Sequence, residues 1–332
     1  IPVYYTGIAE EHQAVRSHAG LFDVSHMGQL VIKGENAQEF LQKILVSDIS
    51  QLSPGCAQYT VMCTENGGII DDLLVYCYSD HYMLVVNAGN LEKNLEWLKR
   101  NNNEDVQIED KSDQISLFAV QGPNSRKIVS DLTRDSLEEV KFYQFIQSNE
   151  FNFPITISRT GYTGELGYEI YCSNEDAGFL WEDTLKKRVR YGLVPSGLGA
   201  RDLLRMEMKY CLYGNDIDES TSPYEAGLGW VVGLNKDYFI GRDALMKMKN
   251  GFSRKLICFR MEERAIPRNG YSILVNDEEI GKVTSGGFST VLNRGIGMGY
   301  VQREYSKAGH QVGIDVRGKM KTALIKKSPL YT

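Results

Sequence analysis

The sequence predicts an α+β fold that ends in an all-β domain, and three observations carry that prediction. Helical and strand periodicities alternate through residues 1–250. Beyond about residue 251 the helical signal stops, and short apolar-alternating runs recur about every 8–12 residues, the pattern of a small closed sheet or barrel. The length, 332 residues, allows roughly two domains or three small ones with buried cores. We therefore expect a 1–250 α+β region, built as two interleaved subdomains, and a 251–332 β-barrel domain. Apolar residues at 42% and charged residues at 24% exclude disordered and fibrous classes.

Taken in order, residues 36–46 read as a helix because Ala37, Phe40, Leu41, Ile44 and Leu45 share one face. The same periodicity predicts helices over 91–99, 123–132, 176–189 and 200–208, with Pro123 suited to a first turn, where its missing N–H has no intrahelical partner. Residues 59–87 form a three-strand meander: strands over 59–64 and 69–78 and from 82, with turns at Asn66-Gly67-Gly68 and Ser79-Asp80. Further strands fit 30–33, 115–120, 155–160 and 167–172. The barrel strands are expected over 255–261, 272–275, 281–284, 297–302, 311–316 and 321–326. The polar run 101–105 reads as a surface loop.

Several classes of function drop out. Lys plus Arg number 37 against 43 for Asp plus Glu, so the net charge of −6 argues against nucleic acid and anionic membrane as partners. No apolar stretch approaches the ~20 residues of a membrane span. The six cysteines (Cys56, Cys63, Cys77, Cys172, Cys211, Cys258) show no C-x-x-C pair and read as reduced core thiols of a reducing compartment. The five histidines (His12, His18, His26, His81, His310) form no Cys/His cluster, so no metal is expected. Without a Gly-x-Ser-x-Gly or a partnered histidine, hydrolase readings fall away. The chain opens at Ile1-Pro2-Val3-Tyr4 without an initiator Met, which leaves a lost start or transit peptide open.

Three segments carry unusual chemistry. Asn66-Gly67-Gly68-Ile69-Ile70-Asp71-Asp72-Leu73-Leu74-Val75 places two acids in an otherwise apolar strand. Adjacent strand residues point to opposite faces, so the two carboxylates should not serve one site together, and one should face inward. A carboxylate among apolar neighbours needs a hydrogen-bonding partner or titrates upward, as at functional sites; the plain alternative is a sheet-edge pair capping the turn. Alternation does not choose between them. Arg159-Thr160-Gly161-Tyr162-Thr163-Gly164-Glu165-Leu166-Gly167-Tyr168-Glu169-Ile170 has three glycines in seven residues, a connection that lets backbone approach something closely or simply turns a hairpin. On the strand that follows, Glu169 and Tyr171 share one face, and Tyr168, Ile170 and Cys172 share the other. Ser196-Gly197-Leu198-Gly199-Ala200-Arg201-Asp202 enters a helix whose free N–H groups could receive an anion, although it lacks a dinucleotide or P-loop spacing. Gly295-Ile296-Gly297-Met298-Gly299 fits a strand that crosses another backbone closely.

Six blocks occur in one order: Leu21-Phe22-Asp23-Val24-Ser25-His26-Met27-Gly28, Gly67-Gly68-Ile69-Ile70-Asp71-Asp72, Gly161-Tyr162-Thr163-Gly164-Glu165, Gly199-Ala200-Arg201-Asp202, Leu212-Tyr213-Gly214-Asn215-Asp216-Ile217-Asp218-Glu219 and Thr284-Ser285-Gly286-Gly287. Together they closely resemble the glycine cleavage system T proteins, the aminomethyltransferases, from about residue 2 to the C-terminus. Members of that family begin further upstream. The resemblance implies a multi-domain, cloverleaf-like arrangement around a central folate channel, with an all-β C-terminal barrel. It implies Asp72 as the essential acid. It implies tetrahydrofolate contacts at Met27, Tyr59, Asn87, Tyr162, Glu169, Arg201 and, near the C-terminus, Tyr331.

The residue types suit a pteridine. A buried carboxylate such as Glu169 can accept from its 2-amino group and N3–H together, and Tyr162, Met27 and Tyr59 offer apolar surface to the ring. Arg201 either contacts folate or orients Glu169. The implied reaction carries the methylene carbon from the aminomethyl-lipoyl arm of H protein to tetrahydrofolate with release of ammonia, and Asp72 would stabilise iminium-like charge and relay protons. Two other readings stand beside it: a folate-dependent demethylase, and a non-catalytic folate-binding factor supporting iron–sulfur enzymes. The cysteine motif of that factor is missing here, where the chain reads Asp237-Tyr238-Phe239-Ile240-Gly241-Arg242-Asp243. Cationic residues at a channel mouth could be Lys186-Lys187-Arg188, or Lys319 and Lys321; solvated surface charge is the plain alternative. The expected location is cytoplasmic, or mitochondrial if a transit peptide preceded Ile1.

Overall fold

The computed structural model describes residues 1–103, 105–149 and 151–331, with the side chain of Arg188 excepted. Glu104, in the expected 101–105 loop, and Thr332, the last residue of the expected barrel domain, lie outside the described residues. The strands in chain order are β1 (Ala19–Asp23), β2 (Gly28–Lys33), β3 (Cys56–Cys63), β4 (Ile69–Cys77), β5 (Tyr82–Val86), β6 (Gln107–Asp110), β7 (Ile115–Gln121), β8 (Phe145–Ser148), β9 (Ile155–Ser158), β10 (Gly167–Ser173), β11 (Leu193–Pro195), β12 (Arg254–Met261), β13 (Ser272–Val275), β14 (Glu278–Ser289), β15 (Arg294–Gln302), β16 (Gln311–Val316) and β17 (Lys319–Lys326). They build a five-stranded sheet β3-β4-β5-β2-β6, a six-stranded sheet β11-β1-β7-β10-β9-β8, and a closed barrel β12-β15-β14-β13-β16-β17. The fold is mixed α and β with an all-β C-terminal barrel, as the loss of helical periodicity predicts. The chain divides into two compact units, 1–60 with 71–201, and 61–70 with 202–332.

Both open sheets belong chiefly to the first unit. The turn at residues 24–27 carries the chain from β1 in one sheet to β2 in the other, which places Met27 at their junction. The apolar face of β10 (Tyr168, Ile170, Cys172) packs into one core with Phe118, Val120, Ile128, Leu132, Ile157 and Leu180. The helix Ser125–Thr133 starts two residues later than expected, because Asn124 takes the N-cap position and Pro123 lies before it. The helix Asn174–Lys186 starts two residues earlier, at a Ser173 cap whose hydroxyl accepts from Asp176 N–H.

The helix Ile8–Ser17 escapes the periodicity argument, because its inward face is built from Glu11, His12, Val15 and Arg16. Glu11 explains the glycine-rich helix entry. Its Oε1 accepts from the N–H groups of Tyr5 (2.6 Å), Thr6 (2.8 Å) and Gly7 (3.3 Å), and its Oε2 from Gly197 N–H (2.8 Å). Leu198 and Gly199 N–H groups go to the carbonyls of Pro2 and Val3. The anion received at this helix entry is therefore a side chain of the protein itself. Replacing Glu11 by Ala orphans four donors, and we expect a loss of roughly 2–4 kcal/mol in urea unfolding, with Glu11→Gln losing distinctly less.

The glycines of the 161–167 connection also serve packing. A Cβ at Gly161 would stand 2.1 Å from Gln121 Oε1, and one at Gly167 2.3 Å from the same amide. Gln121 in turn donates to Thr160 O (3.2 Å) and accepts from Thr163 Oγ1 (2.9 Å), so the loop is folded around that side chain.

In the second unit the barrel closes by antiparallel pairing of β17 with β12 around a core of Phe259, Met261, Ile273, Val283, Ile314 and Ile325. The crossing expected at 295–299 is present: a Cβ at Gly295 would meet Ala265 O at 2.0 Å. Two of the sequence blocks meet at a buried ion pair. Arg205 Nη1 stands 2.5 Å from Asp216 Oδ2, Arg205 Nη2 donates to Ser285 Oγ (2.8 Å), and Ser285 donates onward to Asp216 Oδ1 (2.8 Å), as does Thr284. The hairpin tip 61–70 lies against residues 218–221. A Cβ at Gly68 would stand 1.9 Å from Glu219 O, and Ile69 N–H donates to Thr221 O (3.0 Å). Six free cysteines are present, five of them buried. No helix among the described residues is long and apolar enough to cross a membrane.

Candidate active site

Asp71 and Asp72 begin the part of β4 that belongs to the first unit, and they separate as a strand requires. Asp71 is fully buried, on the face shared with Leu73 and Val75, whereas Asp72 is half-buried on the face shared with Leu74 and Tyr76. Opposite faces do not isolate them, however. β4 pairs with β5 in the register Leu74↔Val85, and continuing it by two residues sets Asn87 opposite Asp72. Asn87 Nδ2 lies 2.8 Å from Asp72 Oδ1 and 2.7 Å from Asp71 Oδ1, so one amide reaches around the strand end to both carboxylates. The Tyr59 hydroxyl, from β3, donates to Asp72 Oδ2 at 2.9 Å.

Burial pushes the Asp72 carboxyl up to about 7, and the neighbouring Asp71 charge adds to the rise; the Tyr59 and Asn87 hydrogen bonds oppose it. A carboxyl poised there exchanges its proton near neutrality. Asp71 is also raised by burial, against which Asn87, Asn90 and Asn94 all act.

A second polar cluster uses the face of β10 that carries Glu169 and Tyr171. Glu169 Oε2 accepts from Thr160 Oγ1 at 2.5 Å. Tyr76 OH lies 3.2 Å from both Thr160 Oγ1 and Ser158 Oγ, and Tyr171 OH donates to Tyr76 OH at 2.9 Å. Tyr76 projects from the same face of β4 as Asp72, four residues along, or about 13 Å at 3.3 Å per residue. That face therefore presents Asp72 at one end and a hydroxyl tied to Glu169 at the other. Burial raises Glu169, while Thr160, the Arg201 charge and Tyr76 favour its ionised form.

Arg201 Nη1 is buried with no hydrogen-bond partner, and the guanidinium lies 4.7 Å from the centre of the Tyr162 ring. No ion pair with Glu169 is formed among the described residues; the two interact through space. The same guanidinium charge, after desolvation, holds His26 below the usual histidine range, which sets the Met27 turn near Arg201. A buried arginine nitrogen without an acceptor and a buried carboxylate close to it fit a ligand that offers both donors and acceptors.

Seven of the eight expected site residues, Met27, Tyr59, Asp72, Asn87, Tyr162, Glu169 and Arg201, thus belong to the first unit. Tyr331 lies in the second unit and is half-buried. The sequence reading passed over Asn90, Asn94, Thr160 and Tyr76 as site residues. For the amides a signal existed: Asn87, Asn90 and Asn94 recur at helical spacing directly after a strand. The suggested cationic mouth is less available than its charges suggest. Lys186 pairs with Asp183 (3.2 Å), Lys187 with Asp131 (3.4 Å) and Lys321 with Glu263 (2.6 Å), while the Arg188 side chain lies outside the described residues. No group of acids, histidines and cysteines suited to a metal ion occurs among the described residues.

Residues 1–236 match the GCVT N-terminal domain, and residues 254–332 match the glycine cleavage T-protein C-terminal barrel domain. The chain belongs to the glycine cleavage T-protein family. Its relatives in that family include the aminomethyltransferase of Halothermothrix orenii, 50% identical over 331 residues that cover 99% of this chain and 93% of the relative. The aminomethyltransferase of Bacillus subtilis is 44% identical over 335 residues, covering 100% and 92%. Among solved structures, the crystal structure of glycine cleavage system aminomethyltransferase T from Bartonella henselae superposes with a TM-score of 0.93 at 33% identity, over 99% of this chain and 91% of that one. As a member of the T-protein family the chain is an enzyme of the aminomethyltransferase class.

Proposed function

We propose that this protein moves the methylene carbon from the aminomethyl-lipoyl arm of H protein to tetrahydrofolate, releasing ammonia, with Asp72 as the catalytic carboxyl. The observation that carries the reading is the Asp72 carboxyl itself, held by Tyr59 and Asn87 on the face of β4 it shares with Leu74 and Tyr76 and raised toward neutrality. Glu169 and Arg201, with Met27, Tyr162 and Tyr59 as apolar walls, would hold the pteridine. Tyr331 would add a contact from the C-terminus.

Tetrahydrofolate supplies the two nucleophilic nitrogens. In the overall exchange the carbon loses its bonds to sulfur and to the amino nitrogen and gains two bonds to folate nitrogens. Of the two protons released, one completes the dihydrolipoyl thiol and one completes ammonia. Asp72 as a carboxylate favours positive charge developing on the transferred carbon, and a carboxyl that titrates near neutrality can take and return a proton within one turnover. Tyr59 and Asn87 fix its two oxygens, so little reorientation is needed as charge develops.

The test is ammonia release and methylenetetrahydrofolate formation from aminomethyl-loaded H protein, with and without tetrahydrofolate. Folate-dependent turnover is expected, and tight folate binding without turnover would overturn the reading. Its pH dependence follows from the sign of the shift. The charged form of Asp72 dominates above about pH 7, so turnover should fall as the pH drops through that value. An acidic limb centred near 4, the ordinary range of an aspartate, would show that the group acts with an unperturbed proton affinity.

A further inference from the structure

Asp71 lies on the face of β4 opposite Asp72, yet it is the more elaborately held of the two acids. Its Oδ1 accepts from Asn87 Nδ2 (2.7 Å) and Asn90 Nδ2 (2.7 Å), and its Oδ2 from Asn94 Nδ2 (2.5 Å) and Asn87 N–H (3.2 Å). Four donors, and no ion-paired cation among the described residues, surround a fully buried carboxylate. An ion pair would have neutralised this charge; a cage of amides stabilises it and leaves its field in place. The cage has a local cost. Asn90 caps the helix Leu91–Arg100 without a side-chain bond to it, because its amide is turned to Asp71, and Asn94 is entirely buried in the helix body.

We propose that Asp71 is a positioning residue for the Asp72 site: its buried charge fixes the Asn87 amide that holds Asp72, and its field favours the protonated form of Asp72. The first effect follows from donor and acceptor chemistry. Asn87 Nδ2 donates to Asp71 Oδ1 (2.7 Å) as well as to Asp72 Oδ1 (2.8 Å) and Asp72 O (3.0 Å), while Asn87 N–H is held by Asp71 Oδ2 (3.2 Å), so Asp71 anchors Asn87 at two points and adds a third acceptor against a reversed amide. The second follows from placement. Among the described residues the titratable groups bearing on Asp72 are Asp71 on its own strand and the Tyr59 hydroxyl from β3. From the side of β5 and the helix Leu91–Arg100 the groups bonded to the two acids are neutral amides, Asn87, Asn90 and Asn94. Asp71, the adjacent residue, is then the negative charge that bears most on Asp72 among the described residues.

The inference rests on the reading of Asp72 as the catalytic carboxyl, and carboxyl-carbon NMR tests it without activity. In the wild-type protein Asp71 should stay ionised through the range in which Asp72 takes up its proton; an Asp71 already neutral there overturns the proposal. In Asp71→Asn the Asp72 titration should move down by about one pH unit. The acidic limb of turnover should follow it, with KM for tetrahydrofolate within about threefold. An unmoved Asp72 titration would reduce Asp71 to a structural link. Asp71→Asn sets an NH₂ among amide donors, so Asp71→Asn combined with Asn94→Asp restores an acceptor and moves the charge farther from Asp72. That variant should fold and still show a lowered Asp72 titration, and a titration equal to wild type would overturn the proposal. If the NMR shift appears while the turnover limb stays fixed, the catalytic assignment of Asp72 fails and the coupling stands.

Discussion

Asp72→Asn lowers the single-turnover rate of aminomethyl transfer by about 10²–10⁴-fold, while tetrahydrofolate affinity changes far less. The substitution keeps the side-chain shape, and one of its termini can still meet Tyr59 or Asn87, so the fold and the pocket wall survive. It removes both the negative charge and the exchangeable proton. An interaction made mainly in the transition state disappears from the rate constant and not from the binding constant. Rates within threefold of wild type would remove Asp72 from the chemistry.

Glu169→Gln produces the opposite division. A charge-assisted hydrogen bond in a buried site is worth about 1.5–3 kcal/mol, so the KM for tetrahydrofolate should rise roughly 10–100-fold, with the rate at saturation changed only a few-fold. Thr160 can still donate to the remaining carbonyl of the glutamine, so its hydroxyl network with Ser158 and Tyr76 persists. The amide, however, accepts at one oxygen only and presents NH₂ where the ligand offers donors. A dissociation constant unchanged by Glu169→Gln would move the pteridine away from this carboxylate.

The two predictions separate because the residues occupy different positions on one scaffold. Asp72 and Tyr76 share a face of β4, and Tyr76 reaches the hydroxyl group that holds Glu169. Of this, period-two alternation made only the β10 part legible in the sequence: it put Glu169 with Tyr171 and apart from Ile170 and Cys172, as the core packing shows. The loss of helical signal near 251 likewise gave the barrel, because barrel strands alternate regardless of what they enclose.

Other features were illegible for identifiable reasons. The helix Ile8–Ser17 turns Glu11 and Arg16 inward, so a search for apolar periodicity passes over it. The Ser196–Gly199 entry has the look of an anion site, and no local pattern reveals that the anion is Glu11, 186 residues earlier in the chain. Alternation also misleads at the paired acids. It separates Asp71 from Asp72 by face, whereas Asn87 at the strand end joins them.

What the sequence determined by itself was the class of the strongly periodic elements, the all-β character of the C-terminal barrel and, through six ordered blocks, the family, because these depend on local periodicity and on the identity of residues close in the chain. Only the tertiary structure decided which polar groups satisfy one another: Glu11 with Gly197, Arg205 with Asp216, and Asp71 with three amides. A buried charge must be matched by whatever the fold brings beside it, and that partner is set by packing in space, where separation along the chain carries no weight.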